Sequence, residues 1–510
     1  MKIFCTASSD TYITDKIIDN KLRATDANIG RAGTLDLFKL YDENKLNKTG
    51  SQDEISRLLI KFDLTKPRQM LNKTLDITSN TFSAKIKLYD IRTGHALPSN
   101  YNVIAHPLGH SFDEGVGRDL SSFSDLATTN FLTSSIVNGS PVLWFASGAN
   151  YEGGVAGQSS VDIIGSGTVG VSTMQYYYGV QHFPVGNEDL SIDVTKAISG
   201  TLAGFIPDHG FRIAFSGSDE GDKKSRFVKR FGSRHSSNPL IRPRLEISYD
   251  DAIQDNRGNF YFDNTGSIFL QNSHRSSLAN LVFAGSEITG QNSLKVKLKK
   301  GTFSRTFFAS QHTGPLGVGT PGIYSASFAI SSDETAEYDK GKTLSSLIAK
   351  EKEVTFTEYW QSLDGTKGYH TGSLTIKGLV PNTSFFHDNV DVYSTNCKSS
   401  YSRHDQLRIH LFGINHEIKK EKTGKKPRYK KSEVLETIYY RVLDADSLVP
   451  IFDFGEADNS TRVSTDGQGM YFDFHFDVLP PGRAYLFEYL IVDKNSKKII
   501  RDKRTRFTVL

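Results

Sequence analysis

The residues best suited to chemistry form an acidic and glycine-rich stretch at 111–119, with the letters SFDEGVGRD. Two kinds of site use such residues, a carboxylate pair and a phosphate-binding loop. Adjacent Asp113 and Glu114 would point to opposite sides of an extended chain, whereas a general acid and base face each other across a substrate. The glycine spacing also lacks the Gly-Lys-Ser/Thr ending of a P-loop. The stretch therefore favours a turn or an interface over a catalytic site.

A histidine pair, His106 and His110, has a spacing that can bring two imidazoles to one metal ion. Pro107 and Gly109 lie between them and forbid the helix on which such pairs usually sit. No nucleophile elbow of the G-x-S-x-G type is recognisable, although a Ser-His-Asp triad stays open. The sequence thus supports no catalytic residue, no metal and no cofactor.

The strongest charge feature is a basic segment at 419–431, with the letters KKEKTGKKPRYKK. Gly424 and Pro427 predict that it is a loop. Contact with an acidic neighbouring subunit or with nucleic acid is one interpretation, and a solvated hairpin tip is the other. The net charge of +4, from 61 basic and 57 acidic side chains, argues against a dedicated nucleic-acid binder. The candidate interface residues here are Lys419, Lys420, Lys425, Lys426, Arg428 and Lys430.

A second candidate interface is the aromatic triplet Tyr176, Tyr177 and Tyr178, which follows a segment rich in Gly, Ser and Asn at 132–170. That segment interrupts the strand pattern for longer than an ordinary hairpin and predicts a functional loop or a subunit contact. An aromatic cluster beside such a loop is typical of an interface. The alternative is that one tyrosine face lies in the core and the other on a sheet edge. Another basic stretch, 223–244, is expected to be a loop packed on the first domain's sheet.

Strands are expected to position these residues, because apolar and polar residues alternate with a period of two at many places along the chain. Many short strands without helical periods predict an all-β chain of antiparallel sheets. Only the segment 342–350 is predicted to form a short helix. The clearest predicted strands are 35–41, 58–64, 81–88, 211–215, 244–249, 294–298, 323–330, 354–360, 373–376, 407–411, 472–478 and 485–491.

Turn residues divide the 510-residue chain into three predicted domains. A jelly-roll-like β-sandwich is expected at 1–252, a smaller β-sandwich at 253–382 and an immunoglobulin-like β-sandwich at 383–510. The boundaries rest on the turn letters DNRG at 255–258 and VPN at 380–382.

Few features of the sequence indicate the cellular compartment. Cys5 and Cys397 lie far apart and predict two free thiols in a chain folded in reducing cytoplasm. The first ten residues lack the apolar stretch of a signal peptide, and no window approaches 18 apolar residues, so no membrane span is expected.

The acidic stretch resembles part of the DNRLRE-type domain of phage structural proteins, notably those of contractile-tailed phages of marine, myovirus-like type. The same resemblance includes Trp144 and the later series 192–195, 204–215, 229–232, 242–246 and 255–261. The motif residues are Phe112, Asp113, Glu114, Gly115, Gly117, Arg118, Asp119 and Trp144. Phe112 stands where that family often has tryptophan. The likeness covers about the first 265 residues and continues faintly to residue 330.

The resemblance implies a non-enzymatic structural component of a virion, in the tail, baseplate or neck, assembled in the host cytoplasm. Its expected partners are other virion proteins and symmetric copies of itself. A receptor- or glycan-binding module displayed on the particle is the alternative, with Trp360 and the tyrosine triplet stacking on sugars. An enzyme that cleaves surface polysaccharide is the third hypothesis.

Overall fold

The chain forms two compact units in a computed structural model. The first unit contains Lys2–Leu71 and Phe82–Ser248, and the second contains Met1, residues from 72–81 and Tyr249–Leu510. The predicted basic segment and the turn at 380–382 lie outside the described residues. The structure describes residues 1–19, 21–43, 53–71, 74–91, 98–120, 128–168, 174–275, 277–313, 319–379, 390–416, 432–493 and 496–510.

Strands dominate both units, so the predicted all-β class is confirmed. The strands of the first unit are β1 (Lys2–Thr14), β2 (Ile17–Ile18), β3 (Leu22–Arg23), β4 (Thr34–Tyr41), β5 (Asp53–Phe62), β6 (Ser83–Leu88), β7 (Tyr101–Pro107), β8 (Thr133–Val137), β9 (Ser140–Leu143), β10 (Glu152–Gly154), β11 (Ile163–Gly167), β12 (Gln175–Tyr176), β13 (Gly179–Phe183), β14 (Leu190–Asp193), β15 (Phe211–Phe215), β16 (Arg226–Gly232) and β17 (Arg244–Ser248). Its helices are α1 (Thr65–Met70), α2 (Thr195–Leu202) and α3 (Gly217–Glu220).

The first unit is a jelly-roll-like sandwich in which β1 belongs to two sheets. Its amino-terminal half, Lys2–Thr6, pairs with β17, and its second half pairs with β5 from Ala7 onward. The register shifts between Ala7 and Ser9, which lets one long strand leave one sheet and enter the next. The strand order is β13-β7-β15-β5-β1-β17-β6-β14, with β4 joining β5 to β16.

Two sequence interpretations of the first unit are wrong in detail. The segment 132–170 contains the hairpin of β8 and β9 as well as β10 and β11, whose glycine-rich strands lack the alternation that identifies strands. The stretch 223–244 contains strand β16, which pairs with β4. Its Lys229 side chain is buried in an ion pair with Asp90, so its charge does not mark a loop.

The second unit begins with a barrel-like sandwich in the order β18-β30-β29-β24-β25-β26-β19, which encloses one apolar core. Helix α4 (Leu344–Glu351) matches the predicted helix. The strands are β18 (Phe260–Tyr261), β19 (Gly266–Gln271), β20 (Ser273–His274), β21 (Ser277–Leu278), β22 (Val282–Phe283), β23 (Ser286–Glu287), β24 (Leu294–Lys300), β25 (Phe303–Thr313), β26 (Gly319–Phe328), β27 (Glu337–Asp339), β28 (Lys342–Thr343), β29 (Glu353–Gln361) and β30 (Gly368–Lys377).

The rest of the second unit is an immunoglobulin-like sandwich of two sheets, β31-β33-β37-β36 and β32-β39-β38-β34-β35. Tyr485 at the start of β38 donates its hydroxyl to the carbonyl of Pro480, the tyrosine-corner contact of such sandwiches. The strands are β31 (Val390–Ser394), β32 (Ser400–Tyr401), β33 (Gln406–Asn415), β34 (Ile438–Asp444), β35 (Pro450–Phe452), β36 (Ser464–Asp466), β37 (Gly469–His475), β38 (Ala484–Val492) and β39 (Lys497–Val509).

The predicted strand 472–478 ends early in this sandwich. Its last paired residue is His475, which lies opposite Gln406, the first residue of β33. Because the partner strand begins there, the chain turns into a 3-10 helix at Phe476–Val478.

Cys5 and Cys397 form no disulfide bond. In the part of the chain that the structure describes, no helix has the length and apolar character needed to cross a membrane.

A buried ion-pair network in the second unit predicts a large effect of one substitution. Arg257 donates to Glu358 and to the carbonyl of Phe269, and it also pairs with Asp255. Glu358 is 1% exposed and Asp255 is 3% exposed. We expect Arg257→Ala to lower the free energy of unfolding of this unit by about 3 kcal/mol, because two buried carboxylates lose their countercharge.

Urea unfolding of the full chain measures this loss, and Arg506→Ala is the matched control. Arg506 also pairs with a carboxylate, that of Asp446, but both side chains are more than half exposed. The control should cost under about 1 kcal/mol. An equal loss of unfolding free energy in Arg257→Ala and Arg506→Ala would contradict the prediction that the buried network is the more stabilising one.

Candidate functional site

The candidate site is a polar cleft of about 610 Å³ in the first unit. Its floor is the face of the sheet that carries Ile55 on β5, His106 on β7 and Arg212 on β15, where Arg212 and His106 are direct partners in register. The cleft is lined by Asp15, Asp53, Ile55, Ile104, His106, Asn150, Glu152, Ile163, Tyr178, Arg212, Phe215, Gly217, Glu220 and Gly221.

Two arginines, Arg212 in this floor and Arg57 on β5, bind the loop that forms the cleft wall, which we call the covering loop (145–152). Arg57 Nη1 donates to the carbonyl of Gly148 at 2.6 Å, and Arg212 Nη1 donates to the carbonyl of Ala149 at 3.1 Å and to Asn150 Oδ1 at 2.7 Å. Both guanidinium groups are almost fully buried. The backbone of the covering loop therefore supplies acceptors that these cations would otherwise lack.

Geometry in the covering loop requires glycine at 148. Gly148 has φ +78°, and a Cβ there would lie 2.5 Å from Arg57 Nη1 and 2.6 Å from the Phe131 ring. Asp162 shapes the loop from the other side, because its buried carboxylate accepts the backbone N–H groups of Phe145, Ala146 and Tyr151. The loop is thus held at both its backbone carbonyls and its backbone amides.

An apolar cluster under the covering loop contains the two aromatic motif residues. Phe112 is 8% exposed and Trp144 is 5% exposed. They pack with Leu59, Phe131 and other core residues, and the Trp144 indole donates to the carbonyl of Asn130. Their role is structural, since their side chains join the covering loop to the sheet.

An aromatic edge adjoins the cleft. The Tyr178 ring lies 5.1 Å from the His106 ring and 5.5 Å from the Tyr176 ring. Tyr176 is 58% exposed, whereas Tyr177 is 5% exposed. The tyrosine triplet is therefore divided, with Tyr176 and Tyr178 at the surface or the cleft and Tyr177 in the interior. On the covering loop, Phe145 and Tyr151 are also more than half exposed.

Electrostatics in the floor are set by burial. Burial and the nearby Arg57 lower the pKa of Arg212 to about 9. Burial and the charge of Arg212 lower the pKa of His106 to about 3, so its imidazole is neutral at physiological pH. Burial alone would raise the pKa of Glu220, but a two-pronged ion pair with Arg57 holds it below its usual range.

The carboxylates of the cleft are mostly engaged by neighbouring groups. Asp15 accepts from the Arg23 guanidinium and from the backbone N–H of Ile55, and burial raises its pKa. Glu220 is held by Arg57. Glu152 is exposed at the cleft wall. The arrangement offers hydrogen-bonding groups of both kinds beside aromatic surface, which is suited to holding a polar ligand in a fixed orientation.

The acidic motif stretch 111–119 lies outside the cleft, in a segment without regular structure, which we call the motif loop. Buried Asn28 holds it, because Asn28 Nδ2 donates to the carbonyl of Glu114 and its Oδ1 accepts from the N–H of Gly117. A Cβ at Gly117 would lie 1.7 Å from the carbonyl oxygen of Asn28, so no larger residue fits there. The Glu114 carboxylate pairs with Arg234 and accepts the N–H of Asp10.

The remaining motif residues are exposed except for Gly115, which is half-buried. Asp113 is exposed, and its carboxylate accepts the N–H of Ile136. Gly115 contributes a positive φ of 75° to the motif loop. Arg118 and Asp119 are exposed. His106 and His110 of the predicted histidine pair contact different rings, those of Tyr178 and Phe145.

Sequence reasoning missed Arg57, Asp162 and Arg212, which build the cleft. A signal existed for the two arginines, because each interrupts an apolar strand at an inward position, in the letters SRLLI and FRIAF. Asp162 carries no local signal, since its three amide partners are defined by the tertiary path of the covering loop.

No protein-family model and no curated protein matches the sequence. Among solved structures, the chain aligns with the FN1–FN3 domains of chicken CNTN1 at 12% identity and a TM-score of 0.13, covering 55% of this chain and 82% of that one. It aligns with the plexin A4 extracellular region at 10% identity and a TM-score of 0.16, covering 66% and 39%. Trypsin-activated alpha-2-macroglobulin from Escherichia coli aligns at 8% identity and a TM-score of 0.13, covering 92% and 29%. Likenesses at these TM-scores establish neither a shared fold nor a shared function.

Neutral, buried His106 predicts an acid-sensitive first unit. The unfolded chain takes up a proton at the ordinary histidine pKa of 6.5, whereas the folded chain does so only at about 3. Between these values the unfolded state binds more protons, so stability falls as pH falls. We expect a loss of about 1 kcal/mol per pH unit that His106→Gln abolishes.

Urea unfolding from about pH 6.5 to about pH 4.5 measures the difference between wild type and variant at each pH, which cancels the titration of other groups. The control is His182→Gln, at an exposed histidine of the same unit. If the free energy of unfolding falls equally with pH in wild type and in His106→Gln, the predicted role of His106 in acid sensitivity is wrong.

Proposed function

We propose that the first unit binds a glycan in its cleft and that the chain presents this binding module without cleaving the glycan. The observation that carries the proposal is the pairing of an aromatic edge, Tyr178 and Tyr176, with a cleft floor of buried polar groups. A sugar ring has an apolar face of C–H groups and a rim of hydroxyls. It therefore needs an aromatic surface on one side and hydrogen-bonding groups on the other.

Preorganisation supports binding. Arg57, Arg212 and Asp162 hold the covering loop through backbone groups, so the cleft wall is fixed before a ligand arrives. A fixed site loses less conformational freedom on binding than a loop that must order around its ligand. Glu152 and Asn150 lie on this fixed wall, and their polar groups face the cleft, where the hydroxyls of the sugar rim would bind.

The same contacts favour binding over hydrolysis. Glycosidases use two carboxyl groups that flank the scissile bond, one of them protonated near neutral pH. In the cleft, Glu220 is ionised by its pairing with Arg57, and Asp15 is engaged by Arg23. Both carboxyl groups therefore act in positioning the protein's own cations and amides.

The test of glycan binding is an array followed by calorimetric titration of the strongest glycan. We expect Tyr178→Ala and Tyr176→Ala each to weaken binding about tenfold, which equals about 1.4 kcal/mol, because the stacking surface is lost. Phe227→Ala is the matched control, since Phe227 is 58% exposed, like Tyr176, but belongs neither to the cleft lining nor to the pair of Tyr176 and Tyr178 rings at its edge.

Unchanged affinity in both tyrosine variants would contradict the proposal. Release of reducing sugar from the bound glycan would show that the chain is an enzyme, contrary to the proposal.

We further propose that the chain is a structural component of a tailed-phage particle, in the tail, baseplate or neck. The support is the motif series that resembles the DNRLRE-type domain. Three of its members have fold-defining positions here, with Phe112 and Trp144 in the core and Gly117 against Asn28. A likeness carried by such residues concerns architecture more than surface decoration.

Mass spectrometry of gradient-purified particles from the strain that encodes the chain tests this proposal. We expect the full chain to be present at a fixed ratio to the other particle proteins. Its absence from intact particles would contradict the proposal.

A further inference from the structure

Three side chains with metal-binding atoms converge beside the motif loop, on the first unit and outside the cleft. They are Asp10 on β1, Glu114 in the motif loop and His235 just after β16. One ligand atom from each lies within 4.8 Å of the other two. The sequence pattern predicts no metal site here, because the three residues are far apart in the chain.

Two atoms of this cluster are buried without a hydrogen bond. Among the described residues, Asp10 Oδ1 and His235 Nε2 make no hydrogen bond, although His235 Nε2 lies 3.3 Å from Glu114 Oε1. Asp10 is 0% exposed, and its other oxygen, Oδ2, accepts the backbone N–H of Arg234 at 2.6 Å. A buried carboxylate oxygen without a donor is costly, so it indicates a missing positive partner.

We propose that Asp10, Glu114 and His235 bind one divalent transition-metal ion, with Zn²⁺ as the best fit. One imidazole nitrogen and two carboxylate oxygens are donors that Zn²⁺ accepts in proteins, and water completes the coordination. The imidazole distinguishes this site from one for Ca²⁺, which prefers oxygen ligands throughout.

Charge around the cluster permits a cation. The guanidinium of Arg234 pairs with both Glu114 oxygens, so these two charges cancel. Ionised Asp10 would add one negative charge in a fully buried position. A divalent ion bound there supplies the countercharge that Asp10 lacks, while Glu114 bridges the ion and Arg234.

The ion would have a structural role. Asp10 belongs to the half of β1 that pairs with β5, Glu114 to the motif loop and His235 to the turn that follows β16. A metal bond among them would join three segments that are separated by more than 100 residues in sequence. Metal binding of this kind adds its free energy to the stability of the folded chain.

The experiment uses the full chain without a polyhistidine tag, stripped with a chelator and then titrated with Zn²⁺, Mn²⁺ or Ca²⁺. Calorimetry and elemental analysis after dialysis give affinity and stoichiometry. We expect one Zn²⁺ per chain, and at least tenfold weaker binding in His235→Gln and in Asp10→Asn, which keeps an oxygen donor and the side-chain shape. Zn²⁺ should also raise the thermal midpoint of wild type but not of these variants.

His182→Gln is the matched control, at an exposed histidine of the same unit, and should bind Zn²⁺ like wild type. Circular dichroism verifies that each variant is folded. The proposal is overturned if folded wild type binds no Zn²⁺ below millimolar concentration, if His235→Gln binds it equally well, or if Ca²⁺ binds more tightly than Zn²⁺.

Discussion

The structure of the first unit depends on hydrogen-bond acceptors for two buried cations, Arg57 and Arg212, which lie on one face of its sheet. A buried guanidinium group without acceptors is too costly to keep, and Glu220 serves only one of the two directly. The carbonyls of Gly148 and Ala149 and the side-chain oxygen of Asn150 supply further acceptors. The covering loop is therefore fixed over the sheet, with the aromatic cluster beneath it and the polar cleft beside it.

This constraint connects the motif residues to the proposed function. Phe112 and Trp144 fill the space under the covering loop, and Asn28 holds the motif loop, to which Phe112 belongs. Two residues of the phage-like motif, Phe112 and Trp144, thus support the covering loop, whereas the residues proposed to contact a ligand do not belong to the motif. In such a division, one scaffold can present different ligand-binding surfaces through its loops.

Sequence patterns predicted strands well where one face is buried and the other is exposed. In β6, Ala84, Ile86 and Leu88 are buried in alternation, as expected. Prediction failed where both faces are covered or where no apolar side chain marks the strand. Helix α2 was missed although its buried residues recur at helical spacing, and β1 was missed because its pattern changes face at the shift between Ala7 and Ser9.

The site was less predictable than the fold. Tyr176 and Tyr178 were found because aromatic residues after a glycine-rich segment are conspicuous. The cleft floor was not found, because Arg57 and Arg212 come from strands far apart in sequence, and only tertiary structure places them on one face. The cluster of Asp10, Glu114 and His235 was hidden for the same reason.

The most direct test of glycan binding in the cleft is a crystal structure of the full chain with its strongest array glycan. The proposed binding predicts a sugar ring stacked on Tyr178, with its hydroxyls within hydrogen-bond distance of cleft groups such as Asn150 or Glu152. A glycan bound elsewhere on the chain, with the cleft filled only by water, would contradict it.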